Sequence, residues 1–436
     1  MGRALLRLLA GFSILMAMTG CALCPHGRRS HSCCASPAEE IPLLVVERSD
    51  QEAPLLELTA SLLPADPPRG MPSSSDYRSL PPQLCQCLAA KHAPLADGLE
   101  RQRQQLQNQR ARASRVCGQK TDEQRAFQES MLLYSSLEIR DQTAGTALEW
   151  YYQLAGVEAK ADLLTTSLRR ARDTLERVQR LKKLGIPLPS PIEEYQRQIV
   201  ELQLQQAQNQ LTIEQLNSKL RLTLGYDAMS PWRFLPDAGV TLNSETVADV
   251  DAAIALGLAQ RPQLLLMRSM IANLDADTLG SARSLLQSIS PLLAMSSPGP
   301  SCKLLILLGK MLHVHPKQDD DVERVRAQLI DYLHERERTV MAEIREAAYE
   351  VGARREATIL AREAAERWQE RIRDLEKKQS QGMNVFADLT RAYMDSYKAR
   401  GEVIREMLGW KIAAVKLKQA QGILPAECGY GECEKN

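Results

Sequence analysis

Ala90-Lys91-His92-Ala93-Pro94-Leu95 opens one long, charged, leucine-rich tract, and Ala259-Gln260-Arg261-Pro262-Gln263-Leu264 opens another. Each tract runs to a glycine that interrupts its helical pattern, Gly185 in the first and Gly382 in the second. The openings lie 169 residues apart (259 − 90) and the glycines 197 (382 − 185), so the second copy holds 28 more residues. The Pro-, Gly- and Ser-rich stretch Ser296–Asp321 can supply them. A chain that states one helical hairpin twice is built for a symmetric helical barrel or a long scaffold, because such repeats bury their apolar faces on one another.

Composition agrees with helices. Aromatic residues make up 4%, with four Phe in 436 residues, whereas sheet domains draw on aromatic and β-branched side chains. Leu, Ala, Gln, Arg and Glu dominate, all good helix formers. The net charge of +1 and the absence of a basic run interleaved with aromatics give no footprint for nucleic acid.

Leu84 to Arg115 reads as a helix, and a very long one follows from about Asp122 to Leu184. Gly185-Ile186-Pro187-Leu188-Pro189-Ser190-Pro191 is a turn, with glycine ending one helix and proline opening the next. The return, Ile192–Leu224, carries Ile199, Leu202, Ile213, Leu216 and Leu220 on one three-four spacing, with Gln206 and Asn209 in the same seam. Leu204 and Leu211 form a second line on another face. A helix that meets neighbours on two sides suits the wall of a barrel around water; an antiparallel coiled coil with a polar seam is the simpler alternative. Gly225 ends the unit. The second unit starts with Val247–Leu258, breaks at Arg261-Pro262 and continues helical to about Ser290. Another long helix runs from Asp319–Asp321 to about Lys378, turns at Gly382, and returns from Phe386 to Ala420. The organisation expected is a leader over 1–20, a Cys- and Pro-rich tether over 21–82, hairpin repeats over 83–230 and 247–425 joined by a linker over 231–246, and a tail over 426–436. The fold class expected is all-α: two tandem coiled-coil hairpins forming a protomer of a helical barrel, with little or no β-barrel.

Arg3 and Arg7 flank an apolar run, Leu5 to Met18, too short to span a bilayer comfortably. Met18-Thr19-Gly20-Cys21 resembles a bacterial lipoprotein signal, a small residue directly before a cysteine that is lipidated after cleavage; a retained signal-anchor helix is the alternative. Ala22, where such proteins carry aspartate for inner-membrane retention, implies the outer membrane. From Ser36 to Pro82 nine prolines preclude a helix and favour an extended tether. Cys24, His26, His31, Cys33 and Cys34 cluster beyond the lipid site at a spacing too irregular for a zinc motif. Cys85-x-Cys87 reads as packing, and Cys428 with Cys433 as a pair able to close a small loop in an oxidising compartment.

The Ala-x-[His/Arg]-x-x-Leu opening, long helix, glycine turn, returning helix and Leu-Thr-Leu-Gly225 ending, given twice, resemble the TolC-type outer-membrane efflux proteins over roughly residues 80–425, the best-matched pieces being Ala259–Leu264, Leu222-Thr223-Leu224-Gly225 and Gly382-Met383-Asn384-Val385-Phe386-Ala387-Asp388-Leu389. The resemblance implies a homotrimer whose helices form a hollow periplasmic conduit. It implies glycine turns, Gly185 and Gly382, as tips that meet a periplasmic adaptor protein serving an inner-membrane pump. It implies an entrance lined by Asp388, with Arg391 where some members have a second acid; a ring of such charges selects ions in a pore. The family inserts two β-strands in each half. Here only Val116–Lys120 and the short runs Lys303–Leu308 and Lys310–His315 are available, against roughly 9–11 residues for a membrane strand. The lipid on Cys21 is then the expected membrane attachment. No nucleophile motif, P-loop or dinucleotide fingerprint is present, so the expectation is a non-enzyme without cofactor or metal. A membrane-fusion adaptor is disfavoured for want of β-domains, and a lipid-anchored periplasmic scaffold without transport activity is the alternative.

Overall fold

The computed structural model describes residues 77–113, 120–185, 191–237, 249–275, 278–280, 282 and 318–430. All of them fall in the compact unit Leu43–Asn436. Cys21, the Cys/His cluster, residues 116–119 and the runs between 303 and 315 lie outside the described residues.

Each repeat is a short helix, a second short helix and a long hairpin. In the first, α1 (Pro82–Lys91) and α2 (Pro94–Ala113) precede α3 (Lys120–Lys183) and α4 (Ile192–Thr223). In the second, α5 (Val250–Gln260) and α6 (Pro262–Ala272) precede α7 (Gln318–Ser380) and α8 (Phe386–Gln421). At 64 and 63 residues, α3 and α7 are each about 95 Å long at 1.5 Å per residue. The continuous helix expected over 84–115 is instead two helices. Pro94 lacks an amide hydrogen to continue the ladder, so α1 ends in a cap at His92 and α2 starts at the proline, as α6 starts at Pro262. The helix expected to run unbroken to about Ser290 is interrupted: α6 stops at Ala272, capped by Asn273, and helical residues recur at Leu279 and Gly280, while residues 283–290 lie outside the described residues.

The opening and closing motifs of each repeat meet in space. The His92 ring lies against Gly225, where an added Cβ would come within 2.7 Å of it. Arg261 and Pro262 lie against Gly422 in the same way. Both glycines have positive φ and end their helices.

The four long helices form one layer in the order α4–α3–α8–α7: α3 packs on α4 and on α8, and α8 packs on α7. Where α3 and α8 approach, Gly156 makes room for Leu408, whose Cδ1 would sit 2.4 Å from an added Cβ. α4 buries Leu202, Ile213, Leu216 and Leu220 with Asn209, the seam read from the sequence, while Leu204 and Leu211 are exposed on its other side. The layer therefore has two free edges. α4 presents Val200, Leu204 and Leu211, and α7 presents Tyr349, Ile359 and Leu360.

Tether and linker contribute a two-stranded parallel sheet. β1 (Tyr77–Leu80) pairs with β2 (Arg233–Pro236), Tyr77 opposite Arg233 and Leu80 opposite Pro236. Asn217 on α4 seats it: its Oδ1 accepts the Phe234 N–H at 2.7 Å. Trp232 and Phe234 stack edge-on at 4.9 Å, and the Arg78 guanidinium lies 4.3 Å over the Trp232 ring. The final residues of the expected tether are thus docked strand, tied to the expected linker.

The C-terminal segment returns to α1. Gln86 Nε2 donates to Leu424 O at 2.9 Å and to Glu427 Oε2 at 2.8 Å. Cys428, in a single 3-10 turn (Ala426–Cys428), is disulfide-bonded to Cys87, with Cα atoms 5.3 Å apart. This corrects two expectations. Cys428 does not pair with Cys433, which lies outside the described residues, and Cys87 is covalent rather than packing. Cys85, two residues earlier and so on another face of α1, is the one that packs: it is fully buried, its Sγ 3.8 Å from Ala147 O, and burial pushes its thiol up out of the ordinary range.

Candidate functional site at the hairpin tips

Both hairpin turns end a long helix on a glycine with positive φ, +71° at Gly185 and +85° at Gly382. At the second tip, the Gly382 N–H donates to Gln379 O at 3.0 Å and the Met383 N–H to Lys378 O at 3.1 Å. These paired bonds satisfy the carbonyls that a helix end would leave orphaned, and they require a left-handed residue at the glycine. Gly185 donates likewise to Lys182 O at 3.0 Å. Neither glycine has another atom within 4 Å of where a Cβ would be, so both tips face open space. The exposed apolar residues Leu184 and Met383 stand beside them.

The tips are charged in keeping with helix dipoles. Arg180, Lys182 and Lys183 close α3, and Lys377 and Lys378 close α7, where cations meet the negative helix end. Lys378 bonds Asp374 at 2.8 Å and holds that carboxyl below its usual range. Behind the second tip Ile372, Leu375, Leu389 and Ala392 form a small core that fixes the start of α8. Asp388 sits in the first turn of α8, exposed and placed where a carboxylate meets the positive helix end. Arg391, three residues on, is also exposed, and neither forms an ion pair among the described residues. Gly185, Gly382, Asp388 and Arg391 are thus surface residues at hairpin ends. The structure does not gather them into a pocket within one chain; Asp388 and Arg391 share one tip, and Gly185 ends the other.

Chemistry of a different kind lies higher on the layer. Asp141 on α3 is buried, its Oδ1 accepting the Leu424 N–H at 3.2 Å. Burial, with Glu138 nearby, raises its carboxyl to about 8, against the opposing effect of the Leu424 bond and Arg261. Among the described residues no three His, Cys, Asp or Glu side chains are grouped to hold a metal ion, and no helix is long and apolar enough to cross a membrane.

Sequence comparison is silent: no family model matches the chain, and no curated protein matches it. Structure comparison is not. The chain superposes on the CusC channel with a TM-score of 0.56 at 10% identity, over 78% of this chain and 91% of that one. It superposes on the Neisseria gonorrhoeae MtrE outer membrane channel in its open state with a TM-score of 0.53 at 13% identity, over 78% and 88%. OprN, another outer-membrane channel, gives 0.50 at 13% identity over 69% and 70%. The fold is that of the TolC-type outer-membrane channels. Two features had no clear sequence signal: the Cys87–Cys428 clasp, whose halves lie 341 residues apart, and the β1–β2 pair, each strand only four residues long.

Proposed function

We propose that the chain is a lipid-anchored outer-membrane component of a tripartite efflux or type I secretion system. In this reading three copies close into a helical conduit. Gly185 and Gly382 form periplasmic tips that dock an adaptor protein, which couples the conduit to an inner-membrane pump, and Asp388 with Arg391 sets the charge at the entrance. The protein is a conduit and not an enzyme, and Cys21 carries the lipid.

One observation carries this reading, the chemistry of the two free edges. The repeats align at an offset of 197, set by both glycine pairs (382 − 185 and 422 − 225). At that offset the α3–α8 joint inside one chain matches a joint between α7 of one copy and α4 of the next. Leu163 and Leu408 are each 7% exposed at the internal joint. Their counterparts, Leu360 on α7 and Leu211 on α4, are 58% and 60% exposed. Leu211 lies 19 residues from the start of α4 (211 − 192) and Leu360 lies 20 from the end of α7 (380 − 360), so both stand about 30 Å from their tips at 1.5 Å per residue. Leucines at matched height on opposite edges suit a head-to-tail contact that closes into a ring.

The test is oligomeric state in detergent by light scattering. The wild type is expected as a trimer, and Leu211→Glu or Leu360→Glu as folded monomers with unchanged helical dichroism. A wild type that stays monomeric and never confers solute export would instead favour a lipid-anchored periplasmic scaffold.

A further inference from the structure

After α8 the chain crosses back over α1 and α3 as a strap, residues 422–430, bounded by two glycines of positive φ, Gly422 (+73°) and Gly429 (+81°). Leu424, at its centre, is fully buried in a small apolar cluster with Ala90 of α1, Ala144 and Leu148 of α3 and Val415 of α8. Gln86 holds the strap from α1 through Leu424 O and Glu427, and Lys418 holds it from α8 through Glu427 at 2.8 Å. The Arg140 guanidinium lies 4.5 Å over the ring of Tyr430. The bond from Cys428 to Cys87 is the one covalent hold.

Beneath the strap lies Asp141, 3% exposed, its Oδ1 accepting the Leu424 N–H at 3.2 Å. An ionised carboxyl in such a place is costly until water reaches it. The charged groups around it come from three directions. Glu138 stands one turn earlier on α3, Arg261 comes from the junction of α5 and α6, and Glu427 belongs to the strap itself. Arg261 is already engaged by Glu343 of α7 and by Ala420 O. Two of the three neighbours therefore repel a charge on Asp141, and one of those two rides on the strap. Hydration by moving α1, α3 or α8 would unpack long helical contacts. Lifting the strap breaks one short glycine-bounded segment, the kind of unit that opens locally at least cost.

We propose that the strap is an acid-closed latch: it is seated over Asp141 while that carboxyl holds its proton and lifts when the proton leaves, with the Cys87–Cys428 bond limiting its travel. The direction follows from linkage. The closed strap raises the Asp141 carboxyl to about 8, from an ordinary 3.8, so closure is firmest at and below the ordinary range, weakens as pH rises towards 8 and changes no further above it. With the disulfide intact, opening is confined to residues 423–427; without it, opening runs on through Tyr430. The device lies within one chain and stands apart from whether copies assemble or conduct.

The test is amide hydrogen exchange read by mass spectrometry on the purified full-length chain at pH 6, 7 and 8, corrected for the intrinsic pH dependence of exchange. Protection of residues 423–427 should fall by up to about tenfold per pH unit, while peptides from the middle of α7 keep theirs. That comparison needs no variant. Asp141→Asn should make the strap's protection independent of pH, and Cys87→Ser should extend the loss through Tyr430. A wild-type strap whose protection does not change with pH overturns the proposal, as does a pH dependence that survives in Asp141→Asn. A loss shared equally by α7 overturns it too, since it marks global unfolding. A Cys87→Ser strap that opens no further than wild type overturns the limiting role of the bond.

Discussion

Removing the Cys87–Cys428 bond tests how the two ends of the chain are held. The bond joins α1 to the last turn across 341 residues. The native contacts around it do not need it: Gln86 still reaches Leu424 O and Glu427, and Lys418 still bonds Glu427 at 2.8 Å. Its effect should therefore fall mainly on the unfolded chain, whose freedom a closed loop restricts. The loop-entropy relation gives about 6 kcal/mol for a loop this long at 25 °C, and measured bonds reach about 5, so the expected loss is about 3–5 kcal/mol. The assay is urea unfolding followed by far-ultraviolet dichroism, for Cys87→Ser, Cys428→Ser and the double variant. All three should lose the same amount, because either single change already opens the loop, and a reductant should bring the wild type to the same midpoint. Cys85→Ser must behave differently: it leaves the loop closed, places a hydroxyl in the core beside Ala147, and keeps its full cost under reduction. Losses that add in the double variant, or a wild-type midpoint unmoved by reductant, would refute the assignment.

Three further outcomes follow from named residues. Asp141, raised from its ordinary 3.8 to about 8, binds its proton more tightly in the folded state than in the unfolded one. Between those values its contribution to stability falls as pH rises, by about 1.4 kcal/mol per unit at most; Asp141→Asn, whose Oδ1 still accepts from Leu424, should match wild type near pH 4 and unfold later than wild type at pH 8, and equal midpoints at pH 8 would contradict this. Gly382→Ala should cost about 1–2 kcal/mol, the left-handed penalty alone, whereas Gly422→Ala should cost clearly more, since its Cβ would lie 2.7 Å from Pro262 Cδ and 3.0 Å from the Arg261 Cα; thermal melts giving the two the same cost would show that the clash relaxes. Cys21→Ala should release the protein from the membrane fraction, and unchanged partition would remove the lipid anchor from the proposal.

The long helices were legible because each signal was local. Periodicity on α4 separated Leu202, Ile213, Leu216 and Leu220 from Leu204 and Leu211, and packing on α3 buries the first line and leaves the second exposed. Glycine punctuation marked all four ends of the returning hairpins, since the left-handed turn that closes them excludes other residues sterically. What the sequence did not show depends on distance along the chain. Cys428 has a nearby cysteine in sequence and a distant one in space, and only the return of residues 421–430 onto α1 chooses between them. The strands β1 and β2 sit in Pro-containing stretches with no alternation to read, and they form because Asn217 and the Trp232–Phe234 stack give them a surface.

The same offset of 197 that makes the two kinds of joint alike also shows where they must differ. At the joint expected between copies, Arg170 is replaced by Arg367, but Tyr393, Tyr397 and Arg400 become Gln196, Val200 and Gln203. One arginine remains, and the rings and the second charge are gone. The tips alternate for the same reason. Asp388 corresponds to Pro191 and Arg391 to Glu194, so the carboxylate that opens α8 has a proline in its place at the first tip. Leucine is kept at both joints, where burial of apolar surface needs only size and shape. The polar residues at the joint and those that would face the mouth differ between the repeats, because these are the positions where two halves of one chain can take on separate tasks without disturbing the wall they share.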